Sequence, residues 1–313
     1  MIASMMNPEP TVAQRIAELG LTDIRTRAEL RADGLSGHAI AVQMRTGGLT
    51  RIRRGIYATG RVHPEVAAAL RIGGRLTCIA LLRLIGVFVL ETPGLHVHVA
   101  PDLSRSRRRR AQEAILHWGA CTDEGLRHVV SIVDAVRQSV RCQAPRAAIA
   151  TLDSVLHHGV LSPAQIVEVF RLLPARFQSL LPLVDGSAES GPETFMRLLL
   201  RVIGAPFETQ VLIDGVGRVD FVVDGWLIIE CDSREFHQGW EHQVEDRRRD
   251  MAAAQAGYVT IRPLAGDIFV RPDQVRLAVQ AVLATLGPLL GTPSMPQLRR
   301  SERRAAAVAA GVG

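Results

Sequence analysis

A chain of 313 residues with 47% hydrophobic and 22% charged residues can bury more than one core, and it lies outside the composition of disordered chains. Its net charge of +6 rests on 37 basic residues, all of them arginine. Guanidinium groups pair bidentately with phosphates and guanine edges, which suits a nucleic-acid partner; a GC-rich coding bias produces the same excess. Cys78, Cys121, Cys142 and Cys231 stand far apart without C-x-x-C spacing. They read as reduced thiols, not as a disulfide framework or a zinc knuckle. The start, M-I-A-S-M-M-N-P-E-P, lacks the basic and apolar regions of a signal peptide. The most apolar run, Leu76 to Leu90, is broken by Arg83 and too short for a bilayer. A cytoplasmic protein with no membrane role is expected.

Residues 11–60 read as three helices followed by a hairpin. Val12, Ile16 and Leu19 share one helical face, and Gly20 ends that helix. Thr26-Arg27-Ala28-Glu29 is a capping box for a second helix that stops at Gly34. Ser36 caps a third, Gly37 to Arg45, and Gly47-Gly48 closes it. Leu49 to Ile52 and Ile56 to Ala58 form two short strands around Arg53-Arg54-Gly55. Three helices and a β-wing are the order of a winged helix-turn-helix, whose third helix enters the major groove. His38, Gln43 and Arg45 are then candidates for base edges, and Arg51, Arg53 and Arg54 for phosphates. The plainer alternative is a solvated basic hairpin.

Residues 61–182 form a mixed α/β middle region. His63–Arg71 and Leu76–Ile85 look helical, and Leu95-His96-Val97-His98-Val99 alternates as a strand with both histidines on one face. An H-x-H pair can hold a metal, but no third ligand follows at useful spacing, so two histidines on the polar side of a strand is the simpler reading. Five arginines crowd residues 104–110, as a solvated turn or a second phosphate contact. Helices are expected at Ile132–Val140, Arg146–His157 and Pro163–Phe170.

Leu183 to Gly191 is small and polar and reads as a linker into a third domain, 183–286. There Val219 to Val223 and Trp226 to Asp232 read as strands joined at Asp224-Gly225. Glu230 and Asp232, two apart, share a strand face, and the hairpin can bring Asp220 beside them. Three carboxylates on a buried sheet repel one another unless a cation sits among them, and oxygen ligands suit Mg²⁺ or Mn²⁺. Arginine partners for these acids, with no metal, are the alternative. Pro272 to Leu286 reads as a closing helix stopped by Gly287-Pro288, and 287–313 as a mobile basic tail.

Two stretches resemble known families. The segment Leu49-Thr50-Arg51-Ile52-Arg53-Arg54-Gly55-Ile56-Tyr57, after its three helices, is similar to the N-terminal domain of AbiEi-like abortive-infection antitoxins. That resemblance implies operator DNA as a partner, a toxin–antitoxin setting in phage defence, and a cognate toxin protein. Residues 187–286 resemble the very-short-patch-repair (Vsr-like) branch of the PD-(D/E)XK nucleases. The landmarks are Glu193 on an upstream helix, Asp220 on a strand, Glu230-Cys231-Asp232, Phe236-His237, the Asp246–Asp250 helix and the strand at Val259. This implies a restriction-endonuclease-like mixed sheet flanked by helices. It also implies Asp220 and Glu230 as metal ligands and His237 or Glu193 acting on water. Asp232 stands where the superfamily has a lysine, which this chain cannot supply. The expected fold class is thus an α+β and α/β multidomain chain. The expected function is metal-dependent hydrolysis of double-stranded DNA addressed by the winged helix. The alternative is a non-enzymatic antitoxin-like regulator with a degenerate nuclease fold.

Overall fold

The computed structural model describes residues 10–91, 94–101, 113–121, 127–232 and 240–290, with backbone alone over 240–243. The arginines of 104–110, His237 and the residues after 290 lie outside the described residues. The chain is a mixed α+β protein with three small sheets among the described residues, and it divides into two compact units, Met1–Gly186 and Ser187–Gly313. No helix among the described residues is long and apolar enough to cross a membrane.

In the first unit, Thr11 and Gln14 form a reciprocal cap that opens α1 (Val12–Glu18). Gly20, at φ +67°, turns the chain beneath Arg61, where a Cβ would lie 2.0 Å from the Arg61 carbonyl oxygen. A single helical turn leads into β1 (Ile24–Thr26), a strand that three residues of sequence give no alternation to reveal. Thr26 and Glu29 cap each other and open α2 (Arg27–Ala32), and Ser36 caps α3 (Gly37–Thr46). The hairpin β2 (Thr50–Arg53) and β3 (Ile56–Ala58) follows, and β1 pairs with β3 to give the order β1-β3-β2. Leu30, Ile40, Leu49 and Tyr57 make the core beneath α2, α3 and the hairpin, with Leu35 and Met44 packed against it.

Next come α4 (Pro64–Ile72), β4 (Arg75–Leu76) and α5 (Cys78–Leu84). The helix expected from Leu76 starts at Cys78, because Leu76 pairs with Val97 and the Thr77 amide donates to the His96 carbonyl at 3.1 Å. Strand β5 (Leu95–His98) lies between β4 and a parallel β6 (Ala114–His117). His96 and His98 are both buried, not on a solvent-facing side. The helices α6 (Ile132–Cys142), α7 (Pro145–His157) and α8 (Pro163–Arg171) stand where their periodicity placed them, with small shifts at the ends.

The second unit opens with α9 (Gly191–Ile203), capped by Ser190. Strands β7 (Phe207–Ile213), β8 (Gly217–Val223) and β9 (Leu227–Ile229) run antiparallel in series. Helix α10 (Trp240–Gln255) then crosses to β10 (Val259–Ile261), which lies parallel to β9. Helices α11 (Ala265–Val270) and α12 (Pro272–Leu290) complete it, and the sheet order is β10-β9-β8-β7. Ile213, Val216, Val219, Val222 and Ile228 form a core with Ala253 of α10 and with Tyr258. The stop expected at Gly287-Pro288 is absent: α12 continues to Leu290 with Pro288 inside it. Proline there forfeits one backbone bond in the final turn. At Gly287 a Cβ would meet Trp226 Cζ2 at 4.0 Å, so that end of the helix rests on a buried ring.

The β8–β9 turn has Asp224 at φ +51° and Gly225 at φ +77°, the left-handed pair that an Asp-Gly hairpin requires. Gly225→Ala should destabilise the protein by about 1 kcal/mol through the left-handed penalty on a Cβ. Urea denaturation followed by far-UV circular dichroism reads this directly, and an unchanged midpoint contradicts it.

Candidate nucleic-acid interface and acidic site

On α3, His38 and Arg45 are exposed and lie nearly in line, seven residues apart. Gln43 is also exposed, but it sits about 140° round the helix from His38. Arg51 and Arg54 are exposed on the hairpin, whereas Arg53 is half-buried. Arg53 lines a cleft of about 250 Å³ with Leu70, Arg75, His98 and His128. Five of the six residues proposed for DNA therefore face solvent, and Arg53 faces its own unit.

The acids gather around the start of α9 and the β8–β9 pair. Glu193 is 6% exposed and takes hydrogen bonds from the Ser190 hydroxyl at 2.7 Å, the Glu189 amide at 2.9 Å and the Gln210 amide group at 2.9 Å. Gln210 reaches it from a left-handed backbone position on β7, φ +53°. Burial nevertheless pushes the Glu193 carboxyl above its usual range. Asp220 accepts the Cys231 amide at 2.8 Å, and burial together with the Glu193 charge pushes its carboxyl up to about 6. The two groups raise each other's cost of ionisation, as neighbouring carboxylates in a poorly solvated site do.

Glu230 follows the last β9 residue, one step beyond the pair Phe221↔Ile229, which sets it across from Asp220. Its surroundings differ. Oε1 takes Arg249 of α10 at 2.8 Å, and Oε2 pairs with Arg262 just after β10. Arg249 also donates to the backbone carbonyls of Val216 and Arg218, and Arg262 to Asp250 at 2.8 Å, so both guanidiniums are fixed. Burial raises the Glu230 carboxyl while Arg262 and Arg249 oppose that rise. Asp232 is half-buried; its amide donates to the Pro263 carbonyl at 3.2 Å and its carbonyl accepts from Ala265 at 3.0 Å. Among the described residues, Glu193, Asp220, Glu230 and Asp232 do not supply a group of three or more that could hold a metal ion. The arrangement holds one acidic pair, Asp220 with Glu193, beside a carboxylate neutralised by two arginines. A Mg²⁺ or Mn²⁺ ion held by Asp220 and Glu230 would compete with two guanidiniums for the Glu230 oxygens.

A different group converges in the first unit. Cys78, His96, His117 and Cys142 place one ligand atom each within 4.8 Å of the others. Their separations along the chain match no zinc motif, so spacing could not find them. The H-x-H alternation at His96 was the one sequence signal, and its partners come from other elements.

No protein-family model matches the chain. A protein of Mycobacterium tuberculosis strain H37Rv, described only as uncharacterised, is 29% identical over 272 residues, covering 76% of this chain and 93% of the relative. Its counterpart in strain CDC 1551 / Oshkosh matches equally. The matched share exceeds what either unit holds, so the likeness reaches into both.

Proposed function

We propose that the protein binds duplex DNA through residues 10–58 acting as a winged helix, as a regulator of the AbiEi-like antitoxin kind. In this reading the C-terminal unit, a Vsr-like nuclease fold, serves as a contact or partner surface for DNA or a cognate toxin. The observation that supports it is the placement of α3, with His38 and Arg45 exposed, beside a hairpin carrying exposed Arg51 and Arg54. A helix presenting polar side chains to base edges and arginines set for flanking phosphates is the division of labour that groove readers use. The regulatory form is favoured over the hydrolytic one because Arg249 and Arg262 hold both oxygens of Glu230.

A hydrolytic reading draws on one specific observation, the raised carboxyl pair of Asp220 and Glu193. It requires a cation to compete with Arg249 and Arg262 for the Glu230 oxygens. Incubation with supercoiled plasmid in Mg²⁺ or Mn²⁺, beside a Glu230→Ala control, separates the two readings. The expected result is a gel shift with no nicking above the control. Metal-dependent nicking that Glu230→Ala abolishes would install the hydrolytic reading in its place.

A further inference from the structure

We propose that Cys78, His96, His117 and Cys142 form a structural zinc(II) site that ties together the middle region of the first unit. Two thiols and two imidazoles are the donor set that tetrahedral zinc takes in closed sites, with no position left for water or substrate. In a tetrahedron with ordinary zinc–sulfur and zinc–nitrogen bonds, ligand atoms stand about 3.3–3.8 Å apart. Here His96 Nδ1 lies 3.0 Å from His117 Nε2 and 3.8 Å from Cys142 Sγ, and all four ligand atoms fall within 4.8 Å of one another. Small rotations about the side-chain bonds bring such a set to bonding geometry.

Each ligand comes from a different element. Cys78 is the first residue of α5, His96 lies in β5, His117 ends β6, and Cys142 ends α6. One ion would therefore tie the short sheet to α5, which packs on β5, and to α6, which packs on α5. The supporting residues already hold the ligands in place. The Thr77 hydroxyl donates to Gln138 Oε1 of α6 at 2.8 Å, and its amide to the His96 carbonyl at 3.1 Å, which fixes the turn presenting Cys78. Cys78 itself has φ +57°, a conformation that costs a non-glycine residue energy and that persists where the surroundings dictate it. Cys78 and His96 are 0% and 1% exposed, while Cys142 is exposed and His117 half-buried, so an ion can reach the site from one side.

Zinc takes both cysteines as thiolates, so its binding releases the thiol protons to solvent. Zinc fits better than the alternatives: copper(I) favours sulfur-richer sets, iron–sulfur clusters require more thiolates, and magnesium or calcium require oxygen.

The test uses the full chain, purified without chelator and assayed by plasma mass spectrometry. About one zinc per chain is expected. His117→Ala and Cys142→Ser should each lose most of it, and Cys121→Ala, at a cysteine outside the set, should keep it. Because a variant can fail to fold, the parent is also stripped with chelator and titrated with Co²⁺. A tetrahedral thiolate–cobalt spectrum, displaced by one equivalent of Zn²⁺, is the expected signature. Stripping should lower the melting temperature by roughly 10 °C or more, as for metal sites that contribute to folding. A purified parent with only trace metal and an octahedral cobalt spectrum overturns the proposal. So does a Cys78–Cys142 disulfide found by peptide mapping under non-reducing conditions.

Discussion

The Arg51→Ala, Arg54→Ala double variant should bind duplex DNA roughly 100-fold more weakly than the parent, since each charge-assisted contact is worth about 1.5 kcal/mol. The loss should be similar across sequences, because phosphates carry no base information. The slope of log affinity against log salt should become shallower by about two units, close to one for each phosphate no longer neutralised. Arg53→Ala should behave differently. Arg53 lines a cleft with Leu70 and Arg75, so its truncation should lower the melting temperature more than the affinity. Fluorescence anisotropy with labelled duplexes at several salt concentrations measures both affinity and slope. If the double variant follows the parent at every salt concentration, β2 and β3 do not lie on DNA and the winged-helix reading fails.

The capping residues made the helices legible. Thr26 with Glu29, and Ser36 before Gly37, announce α2 and α3 because their side chains satisfy amides that a helix start leaves open. Asp224-Gly225 announced the β8–β9 hairpin because so few residue pairs accept two left-handed conformations in succession. Strands β1 and β4 were not legible, being three and two residues long and formed only through distant partners. The same physics limited the sites. Glu230 and Asp220 could be placed on neighbouring strands from the hairpin alone. Arginine partners are the alternative reading of these acids, with the arginines of 247–249 among the candidates. The sequence does not single out Arg249, however, or point to Arg262 at the end of a later strand. Four ligands drawn from four elements show the limit most clearly: Cys78 and Cys142 meet through the packing of α5 on α6, and spacing rules are blind to that.

The Asp220→Asn variant should be more stable than the parent at pH 7.5 and close to it at pH 4. The folded-state carboxyl is pushed from 3.8 up to about 6 by burial and by Glu193, so the native protein holds this proton more tightly than the unfolded chain. A raised acid contributes stability that is present below the unfolded value and is lost as pH rises through the folded value. Stability of the parent should therefore fall between about pH 4 and pH 6, by up to about 3 kcal/mol for a shift of this size, and then level off. Asparagine keeps an oxygen to accept the Cys231 amide while removing the charge. The difference between parent and variant reports the Asp220 charge together with its coupling to Glu193 and Glu230. Urea denaturation across that pH range gives the curve, and equal stabilities at pH 7.5 would mean that Asp220 is solvated in the folded protein. Repeating the pH 7.5 measurement with Mn²⁺ tests the function as well. The regulatory reading expects neither protein to respond, because Arg249 and Arg262 already neutralise the neighbouring carboxylate. A parent that Mn²⁺ stabilises, beside a variant that it does not, would mean that Glu230 yields its arginines to a cation at Asp220, and the C-terminal unit would then be read as a nuclease.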